Sequence, residues 1–114
     1  MKICVSKSTY DSFKSDFDRT CQGDDFILLD SEGEIASGEG KPDVAFISYE
    51  LMFKSLRSEE FFRKYLELIK GCSFVQGSWA GIETKEAQKL IQNSKSFCHG
   101  WGIHAIPIAT YVFA

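Results

Sequence analysis

The chain has 114 residues, of which 44% are hydrophobic and 25% are charged, and its formal net charge is -3. This balance is typical of one soluble globular domain, and the negative charge gives no electrostatic reason to expect nucleic acid or an anionic membrane as a partner. No apolar run approaches the roughly 18 residues that a membrane helix needs, and the N-terminus lacks a signal-peptide pattern. We therefore expect a cytoplasmic protein.

Strand-like and helix-like segments alternate along the chain. The strand-like runs are KICVS at 2–6, FILLD at 26–30, DVAFIS at 43–48, SFVQ at 73–76 and KSFCHG at 95–100. Apolar residues at helical spacing predict helices at 8–21, 59–71 and 84–94, and an apolar helix at 104–114. The expected caps are Ser8 or Thr9, Gly71 and Thr84. The segment SEGEIASGEGKP at 31–42 is predicted to be a glycine-rich loop.

Strands that alternate with helices predict an α/β fold with a parallel sheet. We predict a flavodoxin-like, doubly wound sheet of five parallel strands in the order 2-1-3-4-5, formed by residues 1–103. In such sheets ligands bind beyond the C-terminal ends of the strands. The regions expected to contain a site are residues 6–9, 48–50, 77–83 and 99–104.

Several kinds of site are not indicated by the sequence. The four cysteines, at positions 4, 21, 72 and 98, are far apart and form no C-x-x-C pair, so we predict no metal site and no disulfide framework. Cys98 and His99 are neighbours on a predicted strand and would point to opposite faces. No P-loop or G-x-G-x-x-G opens a helix, so the chain has no evident dinucleotide-binding unit. The serine-rich segment 6–9 could cradle a flavin phosphate or simply cap a helix.

The segment GSWAGIET at 77–84 is the most informative motif in the sequence. The preceding strand ends at Gly77, and the backbone is expected to turn again near Gly81. Successive backbone N–H groups at such a turn can form an anion-binding concavity, and the small residues leave room for a ligand. A small carboxylate is the expected ligand, and a tight strand-to-helix turn without a ligand is the alternative.

Two segments, WAGI at 79–82 and GIHAIPIATYVFA at 102–114, resemble the N-terminal substrate-binding part of the D-isomer-specific 2-hydroxyacid dehydrogenases. That family has a turn of the form A-G-V-(D/G) after one strand and G-(V/I)-H-A-x-x-(V/I)-A-E-x-V-L after a later one. The resemblance implies that the backbone N–H groups of Ala80 and Gly81 hold the carboxylate of a 2-oxoacid. It also implies that His104 faces the cofactor. Thr110 replaces the family's glutamate, which puts the contacts of that carboxylate in doubt.

The same resemblance implies three further contributions to the substrate cleft. Ser48 and Tyr49, in the loop after the third predicted strand, are expected to help close it. Trp79 is bulkier than the usual residue at its position and is expected to restrict the size of the substrate.

A complete enzyme of this family transfers a hydride between NAD or NADP and a 2-oxoacid or 2-hydroxyacid. Its cofactor domain and its catalytic arginine, glutamate and histidine lie further along the chain. Residues 104–114 would then begin the helix that leads into that domain. The resemblance thus implies that this chain has no catalytic residue, binds no cofactor alone, is inactive by itself and forms a homodimer through its C-terminal helix.

Two other interpretations stay open at this point. The chain could be a stand-alone flavodoxin-like binding or interaction module without catalysis. It could also be a flavin-binding module, which a colourless purified protein would exclude. A G-x-G-x-x-G motif within about 40 residues downstream of Ala114 would favour the dehydrogenase.

Overall fold

The computed structural model describes residues 1–79, 81–100 and 112. Within these residues the chain forms six strands and five helices. In chain order they are β1 (Lys2–Ser6), α1 (Lys7–Ser12), α2 (Lys14–Thr20), β2 (Asp25–Leu29), β3 (Ile35–Ser37), β4 (Val44–Ile47), α3 (Tyr49–Arg57), α4 (Glu59–Ile69), β5 (Phe74–Gly77), α5 (Lys85–Gln92) and β6 (Phe97–Cys98). No helix in this part of the chain is long and apolar enough to cross a bilayer.

The strands form one mostly parallel sheet in the order β3-β2-β1-β4-β5-β6. All neighbouring pairs are parallel except β2 and β3, which are antiparallel. The predicted α/β class is confirmed. The predicted five-stranded sheet of order 2-1-3-4-5 is wrong, because a sixth strand lies beside β2 at the edge and runs antiparallel to it.

The sixth strand comes from the segment that we predicted to be a glycine-rich loop. Its turn is held by Asp30, whose carboxylate accepts hydrogen bonds from the backbone N–H groups of Glu32 at 2.9 Å and Glu34 at 3.0 Å. Gly33 in this turn has φ +80, a conformation that glycine adopts without a steric penalty. The chain therefore reverses within a few residues, and the three residues of β3 pair with the end of β2.

One face of the sheet packs against α3, α4 and α5 and forms the main core. Every second side chain along a strand points to the same face of the sheet. The strand residues on this face therefore all pack against the same three helices. The core strand residues are Cys4, Ile27, Leu29, Ala45, Ile47 and Val75, and the core helix residues are Leu51, Met52, Phe61, Phe62, Tyr65, Ile69 and Leu90.

The opposite face of the sheet packs against α1 and α2. Phe26, which alternates with the core residue Ile27, contacts the rings of Tyr10 at 4.9 Å and Phe17 at 5.5 Å between centroids. The predicted single helix at 8–21 is two helices, because the backbone at Phe13 leaves the helical region with φ -121 and ψ 26. The spacing of the aromatic residues was therefore interpreted correctly, but the continuity of the helix was not.

The helix caps illustrate how local sequence determines the helix ends. Thr84 caps α5 as predicted, since its side chain accepts a hydrogen bond from the N–H of Ala87. Gly71 follows α4 with φ +82, as predicted for a C′ glycine. The N-cap of α1 is Ser6, whose Oγ accepts from Thr9 N at 3.2 Å, so the prediction of Ser8 or Thr9 was wrong.

Replacement of Tyr65 by phenylalanine is expected to stabilise the fold by about 1 kcal/mol. The Tyr65 ring is 3% exposed, and its hydroxyl makes no hydrogen bond with the described residues. A buried hydroxyl without a partner has lost its hydration without compensation, so its removal is favourable. Urea denaturation of Tyr65→Phe measures the change. Tyr10→Phe is the control, because that hydroxyl donates to Asp18 at 3.3 Å, and its loss should not stabilise the protein.

Candidate functional site

The C-terminal ends of β1, β4, β5 and β6 lie side by side along one edge of the sheet, which we call the C-terminal edge. The register pairs Ile47 with Gly77 and Gln76 with Cys98, so the segments that follow β4, β5 and β6 emerge next to one another. Strand β2 pairs with one side of β1 and β4 pairs with the other side, so the connections after β1 and after β3 lead in opposite directions along the sheet. A topological switch point of this kind is where open α/β sheets bind ligands.

A serine–glutamate cluster, made of Ser6, Ser8, Ser48 and Glu50, lies at this switch point. The hydroxyl of Ser8 donates to Oε1 of Glu50, and that of Ser48 lies 3.5 Å from the same oxygen. Ser6 is 2% exposed. Its hydroxyl can donate its single proton either to the Glu50 carboxylate or to Oγ1 of Thr9, which lies 2.8 Å from Ser6 Oγ. The cluster therefore connects the end of β1 to the start of α3.

The environment of Glu50 favours the ionised carboxylate. Hydrogen bonds from Ser6 and Ser8, and a smaller one from Ser48, lower the pKa of Glu50, while partial burial opposes them. Glu50 also lies in the first turn of α3, where the helix dipole favours an anion. A shallow cleft of about 260 Å³ opens beside it, and its other charged groups are Lys7, Asp11 and Asp30. Since Lys7 is paired with Asp11 at 2.6 Å, this cleft is unfavourable for an anionic ligand.

Glu50→Gln is expected to destabilise the protein at neutral pH but not in acid. A folded-state pKa below the unfolded-state value means that the interaction stabilises the fold above the unfolded-state pKa. This contribution is lost as the pH falls through the folded-state pKa. Thermal denaturation of both proteins at pH 7 and at about pH 3 measures the difference. Glu67→Gln, at an exposed glutamate, is the control, and a pH-independent difference for Glu50→Gln would contradict the assignment.

Trp79 lies at the border between the core and the C-terminal edge. Its side chain follows Val75 and Gly77 on the core face, and its ring packs on Phe97 with 6.1 Å between centroids. A Cβ on Gly77 would lie 3.0 Å from two carbons of the Trp79 ring, so the glycine provides the space that the ring occupies. Gly77 of the segment GSWAG is therefore explained by the packing of the Trp79 ring. The role of Trp79 in limiting substrate size remains a prediction.

The turn after β5 is joined to the end of β6. The N–H of Gly100 donates to the carbonyl oxygen of Trp79 at 2.6 Å. On the other side of the turn, the Gln88 side chain donates to the carbonyl oxygen of Ile82 at 2.6 Å, which ties the turn to α5. Ser78 Oγ and Trp79 Nε1 are buried and make no hydrogen bond with the described residues.

The residues predicted to form the substrate cleft are only partly within the described structure. Ala80 and His104 lie outside the described residues, as does the predicted helix at 104–114 apart from residue 112. Ser48 is 8% exposed at the end of β4, and Tyr49 begins α3 with its ring 6.2 Å from that of Phe53. Ser48 and Tyr49 therefore follow the strand next to β5 along the C-terminal edge.

Glu50 is the site residue whose role sequence reasoning missed. Its segment, 48–50, was identified as a place to look, but no helix was predicted to begin there. A serine followed two residues later by glutamate is a possible sequence signal for a helix N-terminus, with the carboxylate in the first turn. Its hydrogen bonds to Ser6 and Ser8 depend on the pairing of β1 with β4, which sequence alone does not reveal.

Burial makes two of the four cysteines unreactive. All four are free thiols, of which Cys4 and Cys72 are buried. Burial, with a smaller effect from Cys72, raises the pKa of Cys4 to about 12, and burial likewise raises that of Cys72 to about 11. Both are thus protonated at neutral pH and poor nucleophiles. The described residues contain no group of three or more His, Cys, Asp or Glu side chains arranged to hold a metal ion.

The C-terminal edge has two halves of different chemistry. The half at β1 and β4 carries the ionised Glu50 and its serines, whereas the half at β5 and β6 carries the Trp79 ring and the backbone hydrogen bond between Gly100 and Trp79. Known proteins provide no assignment for either half: no family model matches the chain, and neither the curated proteins nor the solved structures contain a match.

Proposed function

We propose that this chain is the substrate-binding part of an NAD- or NADP-dependent dehydrogenase that acts on D-2-hydroxyacids and 2-oxoacids. The observation that carries the proposal is the hydrogen bond from Gly100 N to Trp79 O, at 2.6 Å. It joins Trp79, the first residue of one segment of the family resemblance, to Gly100, two residues before the other segment begins. Both lie at the edge where parallel sheets bind ligands. The sheet supports the flavodoxin-like part of the proposal, since without β3 its strands follow the order β2-β1-β4-β5-β6.

The proposed contribution of this chain is to orient the substrate. Backbone N–H groups at Ala80 and Gly81 would bind the carboxylate of a 2-oxoacid and so fix the direction of its carbonyl group, an orientation effect that can be large in catalysis. The nicotinamide cofactor supplies the hydride when it is bound. No described residue is assigned to hold it, and His104, which the resemblance places towards the cofactor, lies outside the described residues. The catalytic residues are expected elsewhere in the complete enzyme.

Titration with glyoxylate, pyruvate and hydroxypyruvate, followed by the amide resonances of the labelled chain, tests this binding. We expect the largest shifts at Gly81, Trp79 and Gly100. Gly81→Pro removes one proposed N–H donor and is expected to weaken binding about tenfold or more. Gly81→Ala is the matched control, because it keeps the N–H, and the nearest atom to its Cβ is the movable Glu83 carboxylate. Equal binding by both variants would exclude this turn as the carboxylate site.

The chain alone is expected to show no oxidation of NADH or NADPH with these three acids. The proposed function assigns it only substrate binding, and hydride transfer needs a cofactor domain. A spectrophotometric assay at 340 nm, a wavelength set by the nicotinamide chromophore, gives the result. Turnover above the protein-free rate would contradict the proposal.

Glu83→Gln is expected to strengthen binding of a small organic acid up to about fivefold. A Cβ on Gly81 would lie 2.6 Å from Oε2 of Glu83, so this carboxylate lies against the turn that is proposed to hold the ligand's carboxylate. Like charges repel, and Glu83 is exposed, so the effect is moderate and should decrease with added salt. Glu67→Gln removes one negative charge from α4 instead of from the turn, and it should leave the affinity unchanged.

A stand-alone interaction module is the second candidate, and one surface favours it. Phe53 and Leu56 on α3 are 52% and 47% exposed, an arrangement often found at protein interfaces. Sedimentation of Phe53→Ser/Leu56→Ser distinguishes the two accounts. Loss of self-association would identify α3 as the interface. Self-association that persists would favour the homodimer proposed to form through residues 104–114.

A further inference from the structure

A cleft of about 280 Å³ lies between α4 and α5, and we call it the α4–α5 cleft. Its apolar lining comes from Phe62, which is buried, and Leu66, which is half-buried. Its cationic lining comes from Arg63 on α4 and from Lys85 and Lys89 on α5. The cleft shares no residue with the C-terminal edge, so it is independent of the function proposed above.

The three cationic side chains of the cleft are without ion-pair partners within the described residues. By contrast, two other exposed lysines are paired with aspartate at 2.6 Å, Lys7 with Asp11 and Lys14 with Asp18. Three cations without ion-pair partners therefore surround a single opening that has apolar walls.

The position of Lys85 at the start of α5, and its spacing from Lys89, are electrostatically unfavourable in the ligand-free chain. Lys85 is the first residue of α5, where the helix dipole disfavours a cation. Lys89 lies in the last turn, where the dipole favours a cation, but it is four residues from Lys85, and like charges at this spacing on a helix repel. Both unfavourable features face the same cleft, and a bound anion would relieve both. Local departures of this kind are expected at functional sites.

The two acidic residues of the lining do not remove this positive character. Glu59 and Glu86 lie in the first turns of α4 and α5, where the helix dipoles stabilise negative charge. Neither forms an ion pair with a lysine or arginine among the described residues. Their positions are thus explained by their own helices, as is that of Lys89 in the last turn of α5, whereas that of Lys85 is not.

We propose that the α4–α5 cleft binds a small amphipathic anion. Its carboxylate or phosphate group would lie among Arg63, Lys85 and Lys89, and its apolar tail would pack on Phe62 and Leu66. The volume suits a compact ligand with a short chain, at the lower end of the range for small-molecule sites.

Titration of the full 114-residue chain with hexanoate and with hexyl phosphate, followed by amide resonances, tests the proposal. We expect at least one of them to bind with a Kd of about 1 mM or tighter, with shifts in α5 and around Arg63. The ligand that binds more tightly shows whether the site prefers a carboxylate or a phosphate group. Hexylamine and hexanol have the same tail, and binding of either as strongly as both anions would overturn the proposal, as would shifts confined to the C-terminal edge.

Lys85→Gln/Lys89→Gln is expected to weaken binding about tenfold, whereas Lys85→Arg/Lys89→Arg should retain it. Lys70→Gln/Lys95→Gln is the matched control, because these exposed lysines are also unpaired and the net charge changes equally. Equal weakening by the two glutamine pairs would show that only net charge matters and would overturn the site. Lys85→Gln alone should be at least as stable to urea as the parent chain, and a loss of stability would contradict the unfavourable placement of Lys85. Arg63→Gln, on a different helix, should weaken binding as well.

Discussion

Gly38→Ala is expected to lower the free energy of unfolding by about 3 kcal/mol or more. Gly38 has φ +87, a left-handed conformation that costs an L-residue about 1–2 kcal/mol. A Cβ at this position would also overlap the carbonyl oxygen of Phe26 and come within 3.0 Å of Ile27 Cα. These are backbone atoms of β2, which cannot move away without disturbing its pairing with β1. The steric conflict therefore adds to the cost of the conformation.

Gly23→Ala separates the two contributions. Gly23 has φ +81, but a Cβ there would meet no atom within 4 Å. We expect this variant to lose only about 1 kcal/mol, the cost of the backbone conformation alone. Urea denaturation followed by circular dichroism gives both values. Equal losses for the two variants would mean that β3 does not approach β2 as closely as the structure places it.

Leu90→Ala is expected to cost about 2–5 kcal/mol, because it removes the main hydrophobic anchor of α5. Leu90 is 1% exposed, and Ala87 is the other buried residue of this helix. The small side chain of Ala87 cannot compensate for the cavity. Amide hydrogen exchange should accelerate throughout α5, since the helix is held to the core at few positions.

The adjacent residue provides the control for this prediction. Ile91 has a similar volume, but it is only half-buried. Ile91→Ala is therefore expected to cost about 1 kcal/mol, in proportion to the smaller apolar area removed from water. If Ile91→Ala proved as destabilising as Leu90→Ala, the rotation of α5 about its axis in the structure would be wrong.

The parts of the fold that sequence predicted well are those with strong periodicity or a clear cap. Helix α4 carries Phe61, Phe62, Tyr65 and Ile69 on its buried side, and Gly71 follows it as expected. The apolar runs of the five predicted strands likewise marked strands of the observed sheet. In these segments local propensity and tertiary packing favour the same structure, so the sequence alone was sufficient to predict the element.

Helix α3 was missed because its outer side is also apolar. Leu51, Met52 and Ser55 are buried, but Phe53 and Leu56, which point outwards, remain about half exposed. An amphipathic pattern is recognised by contrast between its two sides, and this contrast is smaller in α3 than in α4 or α5. Phe53 and Leu56, which made the helix hard to recognise in the sequence, are also the exposed residues that suggest an interaction surface.

The site was predictable only where it depends on local backbone. Small residues around Trp79 indicated a turn, and the hydrogen bond from Gly100 follows the pairing of β5 with β6. The serine–glutamate cluster depends instead on contacts between residues 42 positions apart, such as Ser8 and Glu50. No periodicity or short motif reports on such contacts.

Strand β3 has a consequence for aggregation. Without it, the outer side of β2, which carries Phe26, Ile27, Leu28 and Leu29, would present unpaired backbone groups along an apolar strand, and other chains could add to it. The strand that is outermost instead has three exposed residues and a register shift opposite Leu28 and Leu29, so it offers a short, irregular template. A chain whose hairpin is displaced should thus be prone to form β-rich fibrils while its parallel sheet is still largely intact.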